Sequence, residues 1–277
     1  MTHFQIRGSR RLTDVRYEIR GRLAHRALEL ERMGYEIISM NIGNPGLYGY
    51  RTPETMRLAM IENLGAAEPY CHQKGIFPAR EAVVMQQQSR GILDVTAEDV
   101  FIGNGVSELI DLTLRALLNE GDEVLLPSPD YPLWTAATIL NDGKPVHYAC
   151  RPEAGWVPDP DEIESLVTPR TRAIVVINPA NPTGAILTEE SAREVLMFAA
   201  ENDLAILADE VYQDNLYGAE FVSFAKVVGK RPVPLFSLHS TSKGFYGECG
   251  HRGGYVELRN PPRVEGTDLG LEDVLLK

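Results

Sequence analysis

Short apolar runs alternate with amphipathic stretches along most of this chain, and this alternation constrains the fold more than any other feature. The runs are apolar almost throughout, which is typical of strands covered on both faces. The amphipathic stretches between them predict helices that pack on a mostly parallel sheet. The sequence therefore predicts an α/β fold. The predicted strands are residues 100–102, 123–126, 146–150, 173–177, 204–208, 235–238 and 255–258.

Several predicted helices have recognisable ends. Ser107 is a candidate N-cap for a helix that stops before Gly121, and Thr188 is a candidate N-cap for another. Pro53 is expected at the first position of an earlier helix. A further helix over residues 22–33 precedes the alternation, and we expect it to pack apart from the sheet.

Composition narrows the class of protein. The chain has 277 residues and a net charge of −12, which argues against a nucleic-acid groove. Its three cysteines are widely spaced and lie in no CxxC or Cys/His cluster, so neither a disulfide framework nor a metal site is predicted. The first residues lack the apolar segment of a signal peptide, and no run is long enough to span a bilayer. We expect a cytoplasmic location.

Polar residues follow four of the predicted strands. Ligands bind beyond the carboxyl ends of strands in open α/β sheets, so we expect these side chains to form one site. The residues concerned are Gly105 and Ser107; Asn178 and Asn181; Asp209 and Tyr212; and Ser240, Ser242 and Lys243.

Lys243 and Asp209 carry the clearest chemical hypothesis. A partly buried amine at Lys243 can condense with an aldehyde cofactor. A carboxylate fixed at a strand end, as at Asp209, can keep a pyridine nitrogen protonated. Tyr212 lies one helical turn further on and can face the same pocket. The alternatives are an ordinary exposed lysine and a carboxylate that caps the following helix.

Two loops complete the candidate site. The segment NPANPTG, residues 178–184, predicts a turn that places the Asn181 amide near a phenolate oxygen. The segment GNGVS, residues 103–107, opens a helix whose N–H groups suit a phosphate, and Arg252 can add a charged donor. Glu108 occupies the third glycine position of GxGxxG, which weakens a dinucleotide interpretation.

The segments NPANPTG, ADEVYQDNLY and SLHSTSKGFYGECGHRGGYVEL together resemble class I/II aminotransferases of fold type I, and the last two are most similar to the alanine aminotransferase group. NIGNP, YCHQKG and PSPDYP extend the resemblance over residues 17–258. It implies pyridoxal 5′-phosphate as cofactor, transfer of an amino group between L-alanine and 2-oxoglutarate, and a homodimer. It also implies a three-layer large domain over residues 46–258, itself incomplete, with residues 1–45 contributing to an incomplete small domain. Residues 259–277 do not resemble the family's continuation, so we expect them to form an atypical, exposed tail and the chain to be truncated at its C-terminal side.

The resemblance also implies a role for each matching residue. Lys243 links to the cofactor and moves the proton, Asp209 pairs with the ring nitrogen, and Tyr131 stacks on the ring. Tyr212 and Asn181 bond the phenolate oxygen, and Asn181 also contacts substrate. Gly43 contacts the substrate carboxylate through its backbone, and Tyr70 reaches the phosphate of the partner subunit. The remaining phosphate ligands are Val106, Ser107, Ser240 and Arg252.

Three alternatives stay open at this point. Another pyridoxal-phosphate enzyme of the same fold, such as a lyase, would use the same lysine, aspartate and asparagine. A non-catalytic remnant would bind pyridoxal phosphate without turnover, or would bind only a partner subunit. A nicotinamide dehydrogenase rests only on the residue 103–107 loop and ranks last. The family's arginine that clamps the substrate carboxylate has no counterpart after Leu258, so we expect little or no aminotransferase activity from these 277 residues.

Overall fold

A single seven-stranded sheet forms the centre of the protein. The computed structural model describes residues 6–17, 21–244 and 249–276; Gly247 and Glu248, which contribute to the resemblance, lie outside them. The strand order is β1-β7-β6-β5-β4-β2-β3. The strands are β1 (Val100–Gly103), β2 (Glu123–Ser128), β3 (Lys144–Ala149), β4 (Thr171–Ile177), β5 (Ala205–Asp209), β6 (Leu235–Ser240) and β7 (Gly254–Arg259).

Six of these strands, all except β7, run in the same direction. β3, β2, β4, β5 and β6 pair in parallel, while β7 is antiparallel to both of its neighbours, β6 and β1. The carboxyl ends of β4, β5 and β6 therefore meet at one edge of the sheet. The loops that follow these three strands carry most of the predicted site residues.

Helices cover both faces of the sheet. The helices are α1 (Arg22–Arg32), α2 (Glu54–Asn63), α3 (Phe77–Ser89), α4 (Val106–Leu117), α5 (Pro132–Leu140), α6 (Pro160–Leu166), α7 (Glu189–Glu201), α8 (Phe224–Val228) and α9 (Leu271–Leu275). Short 3-10 helices lie at Arg10–Thr13, Pro45–Tyr48, Leu64–Ala67, Ala97–Asp99 and Pro152–Ala154.

Two apolar clusters, one on each face, give the three layers. The first contains Val83, Ile163, Leu196 and Phe224, so α3, α6, α7 and α8 pack on that face. The second contains Ile110, Trp134 and Leu271, so α4, α5 and α9 pack on the other. Successive strand residues point to opposite faces, so neighbours such as Leu207 and Ala208 belong to different clusters. The predicted three-layer α/β fold is confirmed.

One of the predicted helix starts is confirmed, and two are corrected by the structure. Thr188 caps α7 as predicted, because its side chain accepts from the Ser191 N–H. Ser107 does not cap α4; the N-cap is Gly105, whose φ of 80° favours glycine, and Ser107 lies in the first turn. Pro53 is the N-cap of α2 rather than its first helical residue.

The segment after Leu258 differs from the exposed tail that the sequence suggested. Arg259 is still part of β7 and is buried, with its guanidinium bonded to the carboxylates of Glu257 and Asp94. Leu271 of α9 is also buried and joins the cluster that contains α4. Pro261, Pro262 and Arg263 are exposed as the sequence suggested. The expectation is wrong for Arg259 and Leu271, because Glu257 and Asp94 make burial of Arg259 favourable and α9 packs against α4.

The N-terminal helix does lie apart from the sheet. Within the described part of the chain, neither α1 nor α2 contains a buried residue. Apolar side chains in this region are largely exposed, among them Leu23, Ile38 and Met40. No described helix is both long and apolar enough to cross a membrane.

Candidate active site

A cleft opens at the carboxyl ends of β4, β5 and β6. The cleft unites nine of the predicted site residues, which come from loops and helix ends up to 146 positions apart (106 to 252). They are Val106, Ser107, Tyr131, Asn181, Asp209, Tyr212, Ser240, Lys243 and Arg252; Ile110, Val211, Ser242 and Cys249 complete the lining.

Asp209 is the last residue of β5 and is almost fully buried, with an exposed fraction of 2%. The indole Nε1–H of Trp134 donates to its Oδ2 at 2.9 Å, and the Val211 N–H donates to Oδ1 at 3.4 Å. Burial raises the pKa of Asp209 to about 6, although these two donors and the positive charge of Lys243 oppose the rise. Asp209 is thus a buried carboxylate held by N–H donors and largely ionised at neutral pH.

Lys243 follows β6 in a loop that several hydrogen bonds hold in place. The Ser242 N–H donates to Ser240 Oγ at 3.0 Å, and the Gly244 N–H donates to Asn215 Oδ1 at 2.9 Å. Lys243 is half-buried, and its Nζ lies 5.8 Å from the centre of the Tyr212 ring. The lysine is therefore not the freely exposed side chain that the simplest interpretation of the sequence allowed.

The first turn of α4 forms the opposite end of the cleft. Val106 and Ser107 lie in this turn, where helix N–H groups have no intrahelical acceptor and the helix dipole favours an anion. The Arg252 guanidinium lies beside them, and its Nη1 donates to the Cys249 carbonyl at 3.2 Å. A Cβ at position 105 would clash with Arg252 Nη2. Glycine at position 105 thus permits a cradle of N–H donors and one guanidinium, which fits a phosphate group.

The two asparagines of the loop 178–184 have different roles: one stabilises the loop, and the other lines the cleft. Asn178 is buried, and its Oδ1 accepts the Leu187 N–H at 3.0 Å. Asn181 instead lines the cleft together with Tyr212. The sequence placed both asparagines at the strand end, and the structure leaves only Asn181 available to a bound molecule.

Tyr131 lies just before α5, and its hydroxyl shares a hydrogen bond with the hydroxyl of Tyr17 at 3.2 Å. Burial is the main reason why the pKa of Tyr131 lies well above its usual value. The Tyr131 side chain therefore stays neutral and presents an aromatic wall to the cleft.

Two predicted site residues lie away from this cleft. Tyr70 is fully exposed, and Gly43 is exposed with open space around its Cα, where a Cβ would meet no described atom within 4 Å. Neither placement tests the expectation that Tyr70 serves a partner subunit or that Gly43 contacts substrate through its backbone.

Two residues of the cleft and its floor, Trp134 and Cys249, were missed by the sequence analysis, whereas Ser242 was among the polar residues expected to form the site. Trp134 contacts Asp209 directly, and the available signal was its position one helical turn after Tyr131. Cys249 donates its thiol to the Ser242 carbonyl at 3.0 Å and lies next to Arg252. Ser242 is buried, and its Oγ has no hydrogen-bond partner among the described residues. An unpartnered buried hydroxyl in the lining is consistent with a polar ligand in this cleft.

The arrangement as a whole is that of fold type I aminotransferases: an amine and a buried carboxylate beyond parallel strands, with a helix N-terminus and an arginine at the far end. The family described as aminotransferase class I and II matches residues 35–265. The chain belongs to this family.

Individual relatives agree with the family match. The glutamate-pyruvate aminotransferase AlaA of Escherichia coli K12 is 44% identical over 269 residues, which cover 96% of this chain and 66% of the relative. The alanine aminotransferase of Mycobacterium bovis is 43% identical over 94% of this chain and 62% of the relative. The solved alanine aminotransferase from Pyrococcus furiosus superimposes with a TM-score of 0.89 at 34% identity, over 98% of this chain and 67% of that one. The chain thus spans about two thirds of the length of the curated relatives it matches.

Proposed function

We propose that this protein binds pyridoxal 5′-phosphate and transfers an amino group between L-alanine and 2-oxoglutarate. The single observation that carries the proposal is the cleft in which Lys243, Asp209 and the α4 cradle face one another. The choice of amino acid rests on the relatives, since proteins 43–44% identical to this chain are named for glutamate, pyruvate and alanine.

When bound, this cofactor supplies an aldehyde that combines with amines and a ring that withdraws electrons from the amino-acid Cα. The protein residues bind and orient it. Val106, Ser107, Ser240 and Arg252 hold the phosphate. The Asp209 carboxylate would accept a hydrogen bond from the ring nitrogen and favour its protonated form, and Tyr131 would pack against the ring.

Three more residues, Asn181, Tyr212 and Lys243, are assigned roles toward the cofactor and the substrate. Asn181 and Tyr212 donate hydrogen bonds to the ring oxygen beside the aldehyde, and Asn181 also faces the substrate. Lys243 Nζ would hold the cofactor through its aldehyde, and its free amine would accept the proton from the substrate Cα. That role requires an amine held close to the cleft, and Lys243 is half-buried there.

We further propose a homodimer in which Tyr70 reaches the phosphate of the partner subunit, and a substrate carboxylate that contacts the Gly43 backbone. Residues 1–45 are assigned to a small domain and residues 46–258 to the cofactor-binding domain. A cytoplasmic location is proposed because Cys71, Cys150 and Cys249 are all free thiols, as is typical of a reducing compartment.

The first test concerns the cofactor. The chain is incubated with pyridoxal 5′-phosphate, reduced with borohydride and digested, and the labelled peptide is identified by mass spectrometry. We expect the label on Lys243 and its loss in Lys243→Ala, while Lys226→Ala, which changes an exposed lysine of α8, keeps it. A label on another lysine of the wild-type chain would refute the assignment.

The second test concerns turnover. Among the described residues lining the cleft, the basic side chains are Lys243 and Arg252, and both are assigned to the cofactor. A substrate carboxylate has no guanidinium partner among them, so we expect pyruvate formation from alanine and 2-oxoglutarate to be slower than about one per second. Faster turnover would show that another described residue positions the substrate, and release of ammonia without a new amino acid would favour a lyase.

A further inference from the structure

Trp134 makes the shorter of the two N–H hydrogen bonds to the Asp209 side chain, yet neither the sequence motifs nor the proposed roles include it. Its indole Nε1–H donates to Asp209 Oδ2 at 2.9 Å, and the Trp134 side chain is completely buried beneath the cleft. Trp134 itself is fixed by α5, in which its carbonyl accepts the Thr138 hydroxyl at 2.8 Å. The donor therefore approaches Asp209 from a rigid element of the core.

An indole N–H has properties that suit a permanent support for a carboxylate. It donates one hydrogen bond, accepts none and does not titrate in the range where proteins fold. A donor of this kind stabilises the ionised carboxylate more than the protonated acid. Because the Val211 N–H binds the other oxygen at 3.4 Å, the two donors together also fix the plane of the carboxylate.

Trp134 lowers the Asp209 pKa more than the charged groups around Asp209 do. Lys243 is the cation that lowers the Asp209 pKa, but its contribution ranks below the hydrogen bond from Trp134. Tyr131, neutral because of its burial, and Tyr212 face Asp209 from α5 and from the loop after β5. Arg252 and Cys249 line the same cleft. None of these groups replaces a direct N–H donor at Oδ2.

We propose that Trp134 is a positioning residue for Asp209, which it holds ionised and oriented toward the proton of the cofactor ring nitrogen. The effect on the cofactor rests on the proposed function. The effect on Asp209 concerns the protein alone and is tested without cofactor.

The cofactor-free test uses the intrinsic fluorescence of Trp134. The chain has two tryptophans, so Trp156→Phe leaves Trp134 as the single indole. We expect its emission to titrate with a midpoint near the Asp209 pKa of about 6, because ionisation of the bonded carboxylate changes the field at the indole. The titration should disappear in the Trp156→Phe/Asp209→Asn double variant. Emission that does not change from roughly pH 4 to roughly pH 8, or a titration that survives Asp209→Asn, would overturn the proposal.

The cofactor test compares two buried aromatic donors. Trp134→Phe removes the N–H that serves Asp209, while Tyr148→Phe removes a buried hydroxyl that donates to the Val175 carbonyl at 2.8 Å, away from Asp209. The affinity for pyridoxal 5′-phosphate should decline at low pH, where Asp209 is protonated. We expect the midpoint of this decline to lie about one pH unit higher in Trp134→Phe than in the wild-type chain. It should remain at the wild-type value in Tyr148→Phe.

The fluorescence titration and the cofactor-affinity comparison distinguish failure of the proposed function from failure of the positioning role. If the wild-type chain binds no pyridoxal 5′-phosphate, the proposed function fails, and the fluorescence titration still decides whether Trp134 interacts with the ionising Asp209 carboxylate. If the wild-type chain binds the cofactor and Trp134→Phe shows the same pH dependence, the positioning role is refuted. The fluorescence arm does not require Trp134→Phe to fold.

Discussion

Glu210 and His239 lie with Oε2 and Nε2 3.4 Å apart, and both side chains are completely buried. Each is the sequence neighbour of a cleft residue, Asp209 and Ser240 respectively. Because strand residues alternate between faces, this pair lies on the face of the sheet opposite the cleft, where His239 stacks on Tyr255 with ring centres 4.7 Å apart. Glu210 accepts from the Phe224 N–H at 2.7 Å and the Ser223 hydroxyl at 2.8 Å.

This buried pair predicts a specific dependence of stability on pH. Burial raises the pKa of Glu210 to about 8 and lowers that of His239 to about 3. The relevant interval runs from pH 6.5, the usual histidine pKa, to pH 8. In this interval Glu210 binds more protons in the folded chain than in the unfolded chain, whereas His239 does not. The contribution of Glu210 to the free energy of unfolding therefore falls as pH rises. The loss over this interval is on the order of 1 kcal/mol.

Glu210→Gln isolates that contribution. The amide keeps an acceptor for the Phe224 N–H but does not titrate. Urea unfolding should therefore show a smaller decline in the free energy of unfolding from roughly pH 6.5 to roughly pH 8 in the variant than in the wild-type chain. Equal declines would mean that Glu210 is already ionised in the folded protein at the lower pH.

A methyl group at position 105 should weaken binding of the cofactor phosphate. In Gly105→Ala the new Cβ would clash with Arg252 Nη2 and would displace the guanidinium. We expect the affinity for pyridoxal 5′-phosphate to fall at least about tenfold, which corresponds to loss of one charge-assisted hydrogen bond. The affinity for pyridoxal, which lacks the phosphate, should change little.

Gly91→Ala is the matched control for this substitution. Gly91 also has a positive φ, 84° against 80° for Gly105, but no described atom lies within 4 Å of a Cβ at position 91. Both variants place a side chain at a positive φ and should lose stability on thermal unfolding, and only Gly105→Ala should lose phosphate-dependent affinity. A similar loss of affinity in both would attribute the effect to stability rather than to Arg252.

Removal of Arg259 should destabilise the fold far more than removal of a surface arginine. Arg259 neutralises the buried Glu257 carboxylate, which also accepts the Gln87 amide at 2.7 Å. Arg259→Leu leaves that carboxylate without a cation, at a cost of about 3 kcal/mol. Arg172→Leu, which breaks a partly exposed pair with Asp122, should cost about 1 kcal/mol or less.

The Arg259 prediction is checked by urea unfolding of three variants. Adding Glu257→Gln to Arg259→Leu should recover part of the lost stability, because no buried charge is then left unpaired. Similar values for Arg259→Leu and Arg172→Leu would restore the view that the segment from Arg259 onwards is an exposed tail.

Subunit mixing tests whether Tyr70 serves the site of a second chain. Lys243→Ala cannot link to the cofactor, and Tyr70→Ala removes the proposed phosphate contact while leaving Lys243 in place. In a mixed dimer, the site with an intact Lys243 would receive Tyr70 from the partner subunit. Sedimentation should show dimers at micromolar concentration, and mixing should restore tighter cofactor binding than Tyr70→Ala shows alone. Additive binding by the two variants would contradict a shared site.

The sequence was sufficient for the strands and for the residues that follow them, because each depends on local pattern. Lys243, Asp209 and Asn181 follow buried apolar runs, and the carboxyl ends of parallel strands lie together whatever the details of the helices. Trp134 was not predicted because its apolar, helical context is equally typical of a core residue. Its contact with Asp209 joins residues 75 positions apart and depends on how α5 packs on the sheet.

The burial of Arg259 and the position of Ser107 inside α4 are two other features that could not be predicted from local sequence. An arginine before two prolines has the composition of a surface loop, and only the partners Glu257 and Asp94 make its burial favourable. Serine is a common N-cap, but Gly105 takes that position because its positive φ and missing Cβ accommodate Arg252. In both cases the deciding group comes from a distant part of the chain.

The antiparallel strand β7 sets an order for synthesis and folding. β1 forms near residue 100, yet its only neighbour in the described sheet is β7, about 150 residues later. The parallel core of β2, β4 and β5 can assemble on the emerging chain while β1 still lacks a partner. Long-range pairing of this kind is slow and leaves apolar surface open to aggregation. During translation, β1 and the helix α3 that contacts it therefore depend on the arrival of residues 254–259, and chaperone binding in that interval should concentrate on these two elements.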